Sequence, residues 1–155
     1  MFDAIKSFVA DLASGEKGPG GFGDQELRLA TAALLVHAAG VDGDMSDAER
    51  GTLRSLLRQR FELDDAAAGA LIEKGAAADE KAVDLYHFTH QLNNSLSGNE
   101  RLRTIEMMWR IAYADGAVSE YEDNLIWRVA DLLGVSSTER IALRHRVAAE
   151  SGAGA

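Results

Sequence analysis

The sequence contains no cysteine among its 155 residues. Without cysteine, the chain can form neither a disulfide framework nor a thiolate metal site. No apolar stretch approaches the roughly 20 residues that a membrane-spanning helix needs. Asp3 and Asp11 interrupt the apolar start, and no basic leader of the signal-peptide type precedes it. We therefore expect a cytoplasmic protein with no membrane span.

Basic residues are scarce relative to acidic ones, 16 against 25, and the formal net charge is −9. This negative field repels phosphate backbones, so we expect no nucleic-acid binding. Catalytic motifs are missing as well, since there is no G-x-S-x-G nucleophile elbow and no phosphate-binding glycine-rich loop. The carboxylates form no recognisable acid–base constellation. The sequence predicts that the protein is not an enzyme.

The only proline, Pro19, lies in a glycine-rich stretch over residues 15–23 that we interpret as a flexible linker. Before it, residues 1–14 are predicted to form an amphipathic helix, and after it residues 24–150 are predicted to form one helical domain. The apolar stripe of the short helix comprises Phe2, Ile5, Phe8, Val9 and Leu12. Because so short a helix is unstable alone in water, it must dock on its own bundle, on a partner protein or on a membrane, and we favour the first.

The domain lacks the alternating β-branched runs of strands and is rich in alanine, leucine, arginine and glutamate, which favour helices. Its apolar periodicity predicts seven helices, at about residues 24–40, 46–60, 65–76, 80–94, 98–114, 119–133 and 137–149. Glycines that can adopt the left-handed conformation mark three predicted helix ends, at Gly43, Gly116 and Gly134.

An internal repeat relates two parts of the chain, because a shift of 73 residues places residues 41–49 over residues 114–122. Each segment contains an Asp-Gly turn followed by an S-x-x-E capping box, in which both side chains satisfy backbone N–H groups. The boxes are Ser46 with Glu49 and Ser119 with Glu122. The predicted fold class is all-α, a single-domain helical bundle built from two pseudo-symmetric helix–turn–helix repeats.

The doubled motif resembles the TerB-like family, which is associated with tellurite resistance and with membrane-anchored co-chaperones. The likeness covers about residues 24–149 and includes the amphipathic segments 34–39 and 107–116 beside the turns. The segments 1–5 and 84–89 resemble stand-alone members of the family. The resemblance implies an α-helical fold, no catalysis, divalent-metal binding at the acidic turns and a protein partner in membrane-associated stress complexes. We expect an interaction or adaptor module of the tellurite-resistance type.

The acidic turns are the candidate metal site, with Asp42, Asp44 and Glu49 at the first turn and Asp115 and Glu122 at the second. Hard cations such as Ca²⁺ and Mg²⁺ prefer carboxylate oxygens, although the spacing is not that of an EF-hand. Helix caps and the helix dipole explain the same residues without a metal. A weakly bound divalent cation is therefore the alternative function, and the sequence leaves both hypotheses open.

Histidines and large apolar residues receive structural interpretations. His37 lies within an apolar run and is interpreted as a core or boundary histidine with a hydrogen-bonded partner. His87 and His90 are three residues apart, but no carboxylate pattern near them resembles a zinc motif. The spacing of four further large residues assigns them to the core: Trp109, Trp127, Met107 and Met108.

Three arginines recur at four-residue spacing on the second predicted helix, at Arg50, Arg54 and Arg58. This spacing places them on one stripe of the helix, which we interpret as a solvated polar face. Binding of an anion or of a partner protein is the alternative interpretation of this stripe.

Overall fold

The structure, a computed structural model, describes residues 24–41, 43, 45–82 and 85–151. Its regular structure there is entirely helical, which confirms the predicted fold class. The helices are α1 Asp24–Ala39, α2 Asp47–Phe61, α3 Asp65–Lys81, α4 Tyr86–Asn93, α5 Gly98–Ala112, α6 Glu120–Leu132 and α7 Ser137–Ser151. None of the helices described is long and apolar enough to cross a membrane. The predicted helix 1–14 and linker 15–23 lie outside the described residues.

The boundary predicted between the third and fourth helices is wrong. Helix α3 does not stop at residue 76 but continues to Lys81, because its alanine-rich sequence favours helix throughout. The chain leaves the helix at Ala82, whose φ of −74° and ψ of 138° are extended. Helix α4 begins only at Tyr86, so it is shorter than predicted.

The two predicted capping boxes are confirmed. Ser46 Oγ accepts a hydrogen bond from Glu49 N at 3.1 Å, and Glu49 Oε1 accepts one from Ser46 N at 2.9 Å. Ser119 and Glu122 repeat this geometry with the same two distances. The wider relation between the two halves of the bundle stays a prediction. The glycines predicted at helix ends all have positive φ: Gly43, Gly116 and Gly134.

Helix α1 lies at the centre of the bundle. Between Ala30 and Ala39, every residue except His37 is buried, as expected for a helix that has neighbours on all sides. Its most extensive contact is with α3, where a Cβ at Gly75 would lie 3.0 Å from the Cβ of Ala32. Small side chains on both helices therefore allow their backbones to approach closely.

Helix α7 is attached to the bundle through Trp109 of α5, which is only 1% exposed. The indole Nε1 of Trp109 donates a hydrogen bond to the carbonyl oxygen of Arg140 at 3.2 Å. The guanidinium of Arg144 lies 5.1 Å from the centre of the Trp109 ring and pairs with Asp123 of α6 at 3.1 Å. A buried aromatic ring and its polar partners thus join three helices.

The prediction that Trp127 belongs to the core is wrong, because the structure leaves it 51% exposed. The buried apolar residues of α6 are Leu125, Ile126, Val129 and Ala130, and they follow one stripe of the helix. Trp127 falls outside this stripe at 3.6 residues per turn and faces solvent. Tyr121 on the same helix is also exposed, at 67%.

Candidate functional site

Of the five predicted metal-ligating residues, the structure describes three, and their environments differ. Asp42 and Asp44 lie outside the described residues, so their positions are not described. Asp115 is exposed, whereas Glu49 and Glu122 are only 2% and 3% exposed. The two glutamates are therefore buried carboxylates at the start of α2 and α6.

Each buried glutamate already has a structural role, because its Oε1 atom accepts the hydrogen bond that closes its capping box. The second oxygen of Glu49, Oε2, is buried and has no hydrogen-bond partner. A buried carboxylate oxygen without a partner is costly, and a bound cation would satisfy it. Within the described residues, however, no three histidine, aspartate or glutamate side chains are grouped as metal ligands. The metal site therefore stays a prediction.

The histidines occupy the structural positions that their sequence context indicates. His37 Nδ1 lies 2.9 Å from Asp79 Oδ1, so this partly buried histidine joins α1 to α3, as a boundary histidine with a partner should. His87 and His90 are exposed on α4, where the ring of His90 stacks on that of Tyr86 at 5.6 Å between centroids. Tyr86 and His90 thus form an exposed ring pair on the outer face of α4.

An open groove of about 750 Å³ lies between α2 and α5. Half of the α2 residues that line it are small, Ala48, Gly51, Thr52 and Ser55, and Asp47, Gln59 and Arg60 line the same wall. Leu56 of α2 supplies apolar surface, and Met107 of α5 lines the groove with a side chain that is only 4% exposed. Three arginines also line the groove: Arg60, Arg103 and Arg110.

Two of these arginines have carboxylate partners. Arg60 lies 3.2 Å from Glu100, and Arg110 lies 3.0 Å from Glu106, which is in the preceding turn of α5. Arg103 is exposed and forms no ion pair with any described residue. The groove therefore contains one guanidinium whose charge no described carboxylate balances.

Glu100 holds Arg60 at one end of the groove from within a capping box that the sequence reasoning missed. Ser97 N donates to Glu100 Oε1 at 2.8 Å, and Glu100 N donates to Ser97 Oγ at 3.3 Å. The hydrogen bond from the Ser97 backbone and the charge of Arg60 hold the pKa of Glu100 below its ordinary value. The S-x-x-E signature at residues 97–100 is the signal that would have identified this box.

The arginine stripe of α2 lies beside the groove. Arg54 follows Gly51 by three residues, so the two are neighbours on the helix surface. Arg50 and Arg54 are exposed and form no ion pair with any described residue, whereas Arg58 lies 3.2 Å from Asp65. Asp47 and Glu106 also line the groove, but the arginines that line it or lie beside it outnumber these two carboxylates.

An all-α bundle with two capped turns, at Gly43 and Gly116, and an arginine-lined groove defines a class of small helical domains rather than a particular chemistry. The family model for tellurite resistance protein TerB matches residues 28–145. This match covers most of the sequence, and the chain belongs to the TerB family. The resemblance seen in the doubled turns is thereby confirmed. Neither a curated protein nor a solved structure matches the chain.

Proposed function

We propose that this TerB-family domain is a non-enzymatic adaptor that binds a partner protein within a tellurite-resistance-type stress response. The observation that carries the proposal is the open groove between α2 and α5. It extends along α2 from Asp47 to Arg60, a distance of about 20 Å at the α-helical rise per residue. A groove of this length suits a helix of another protein laid along it.

The chemistry of the groove supports docking rather than catalysis. Thr52 and Ser55 supply hydroxyl groups, but no histidine, lysine or cysteine is among the residues that line it. A hydroxyl nucleophile needs an adjacent general base, and among the described residues neither carboxylate of the groove, Asp47 or Glu106, is hydrogen-bonded to Thr52 or Ser55. The carboxylate of Glu106 is engaged by Arg110 and Arg146. These side chains provide shape and charge for recognition.

Gly51 offers a way to fill the groove without disturbing the fold. A Cβ at Gly51 would meet nothing within 4 Å, and the same holds for Gly69 of α3, which lies outside the groove. Gly51→Leu should therefore fold normally, and its side chain should occupy the groove and sterically block the partner. Gly69→Leu is the matched control, because it makes the same change in another helix.

The test is growth on potassium tellurite of cells that lack their own copy and produce the wild type or one variant. We expect the wild type and Gly69→Leu to restore growth and Gly51→Leu to fail, with both variants melting at the wild-type temperature or above it. Full rescue by Gly51→Leu would contradict docking in the groove. No rescue by the wild type would contradict the tellurite-resistance role.

A second candidate function is binding of Ca²⁺ or Mg²⁺ at the acidic turns, favoured by the unpartnered Glu49 Oε2. The proposed ligands are Asp42, Asp44, Glu49, Asp115 and Glu122. If a cation binds there, millimolar calcium should raise the melting temperature, and Asp42→Asn combined with Asp115→Asn should abolish the rise. If neither Ca²⁺ nor Mg²⁺ changes the melting temperature of the wild-type protein, this function is ruled out.

A further inference from the structure

The groove has a charge pattern that restricts what can occupy it. Arg50 and Arg54 on the α2 side and Arg103 on the α5 side lack carboxylate partners among the described residues. Long arginine side chains thus border the groove from both helices, with their charges available to a bound molecule. Guanidinium groups bind carboxylates through paired hydrogen bonds, so this border favours an acidic ligand.

The charge of the whole chain sharpens this preference. With a net charge of −9, the protein repels an acidic partner over most of its surface. The arginine border supplies the opposite charge at the groove, and complementary charge sets orientation and association rate more than total affinity. An acidic partner would therefore be directed to the groove.

The interior of the groove restricts the shape of the ligand. Leu56 supplies apolar surface, and Met107 adds the small part of its side chain that is exposed. Ala48, Gly51 and Ser55 leave one part of the α2 wall without long side chains, whereas Gln59 and Arg60 line its C-terminal end. Helices pack at interaxial distances of about 8–10 Å, with the closest approaches where the contacting side chains are small. A third helix can therefore lie against α2 and α5 with its apolar stripe inward.

We propose that the partner element bound in this groove is an acidic amphipathic helix, an inference that rests on the docking function proposed above. Its apolar stripe contacts Leu56 and Met107, and glutamates or aspartates on its flanks pair with Arg54 on one side and Arg103 on the other. A basic helix would instead place its charges against these arginines and be rejected.

The probes are two synthetic helical peptides with the same leucine stripe, one with glutamate and one with lysine on its polar face. Fluorescence anisotropy with the full chain measures their affinities at low and high salt. We expect the glutamate peptide to bind and the lysine peptide not to bind. High salt should weaken binding of the glutamate peptide about tenfold, because salt screens exposed ion pairs.

Charge-reversal variants identify the surface that binds the glutamate peptide. Arg54→Glu combined with Arg103→Glu should weaken binding of the glutamate peptide about tenfold or more. Arg128→Glu is the matched control, because Arg128 is exposed on α6 and does not line the groove. Circular dichroism of each variant checks that the helical fold is retained.

The outcomes separate this inference from the proposed function. Equal binding of the two peptides, or no effect of the double charge reversal, would overturn the acidic-helix inference. So would the absence of binding by either peptide. If Gly51→Leu nevertheless fails to support growth on tellurite, the docking function stands and only the chemistry assigned to the partner is wrong.

Discussion

The contact between α1 and α3 permits a sharp test of the packing, through the change Gly75→Ala. A Cβ at Gly75 would lie 3.0 Å from the Cβ and the carbonyl carbon of Ala32 and from the backbone nitrogen of Ala33. Two of these three atoms belong to the backbone of the central helix, which cannot rotate away as a flexible side chain can. The added methyl group must therefore push the two helices apart.

The expected size follows from two opposing effects. Replacing glycine by alanine in a helix interior ordinarily stabilises by about 1 kcal/mol. Overpacking a close contact typically costs about 1–3 kcal/mol. We expect the steric cost to exceed the gain, so that Gly75→Ala lowers the free energy of unfolding by about 1 kcal/mol.

Gly69→Ala on the same helix is the matched control, because its Cβ would meet nothing within 4 Å. It should raise the free energy of unfolding by about 1 kcal/mol, so the two variants should differ by about 2 kcal/mol. Urea denaturation followed by circular dichroism measures both. Equal stabilisation by the two substitutions would refute the close approach of α1 and α3.

Three further predictions concern tryptophan exposure, a helix cap and acid stability. Trp127→Phe should leave fluorescence from Trp109 that acrylamide quenches poorly, because Trp109 is 1% exposed whereas Trp127 is 51% exposed; strong quenching would contradict the burial of Trp109 on α5. Ser119→Ala should lower the free energy of unfolding by about 1 kcal/mol through the lost N-cap hydrogen bond, and an unchanged urea midpoint would exclude that role. The pKa of Glu100 is lower in the folded state than in the unfolded state, so its ionised carboxylate stabilises the fold at pH values above the unfolded-state pKa. This stabilisation disappears as pH falls through the folded-state pKa. Glu100→Gln should therefore lose less stability on acidification than the wild type. If the urea midpoints of the two proteins fall in parallel as pH is lowered, Glu100 does not contribute to acid stability.

Local features of the fold could be predicted from the sequence because local physics determines them. A capping box needs only a serine and a glutamate three residues apart at a helix start, so the boxes at Ser46 and Ser119 were predictable. The same reasoning would have found the box at Ser97 and a similar hydrogen-bond pair between Ser136 and Glu139. These two were missed although their signature is present in the sequence.

Tertiary features could not be predicted in this way. The small residues of α2 that line the groove have the pattern of a solvated helix face, and only the position of α5 makes them a wall. The size of Trp127 favours burial, but its position relative to the apolar stripe of α6 leaves it at the surface. Gly75 gave no signal in the sequence, since its importance depends on Ala32 of a distant segment.

The most direct test of the docking groove is site-specific photo-crosslinking in cells, with benzoylphenylalanine placed at Gly51 or, as the control, at Gly69. We expect position 51 to form a defined adduct whose partner segment is an acidic amphipathic helix, and we expect no such adduct from position 69. An adduct that forms equally from both positions, or only from position 69, would contradict the groove between α2 and α5 as the binding surface.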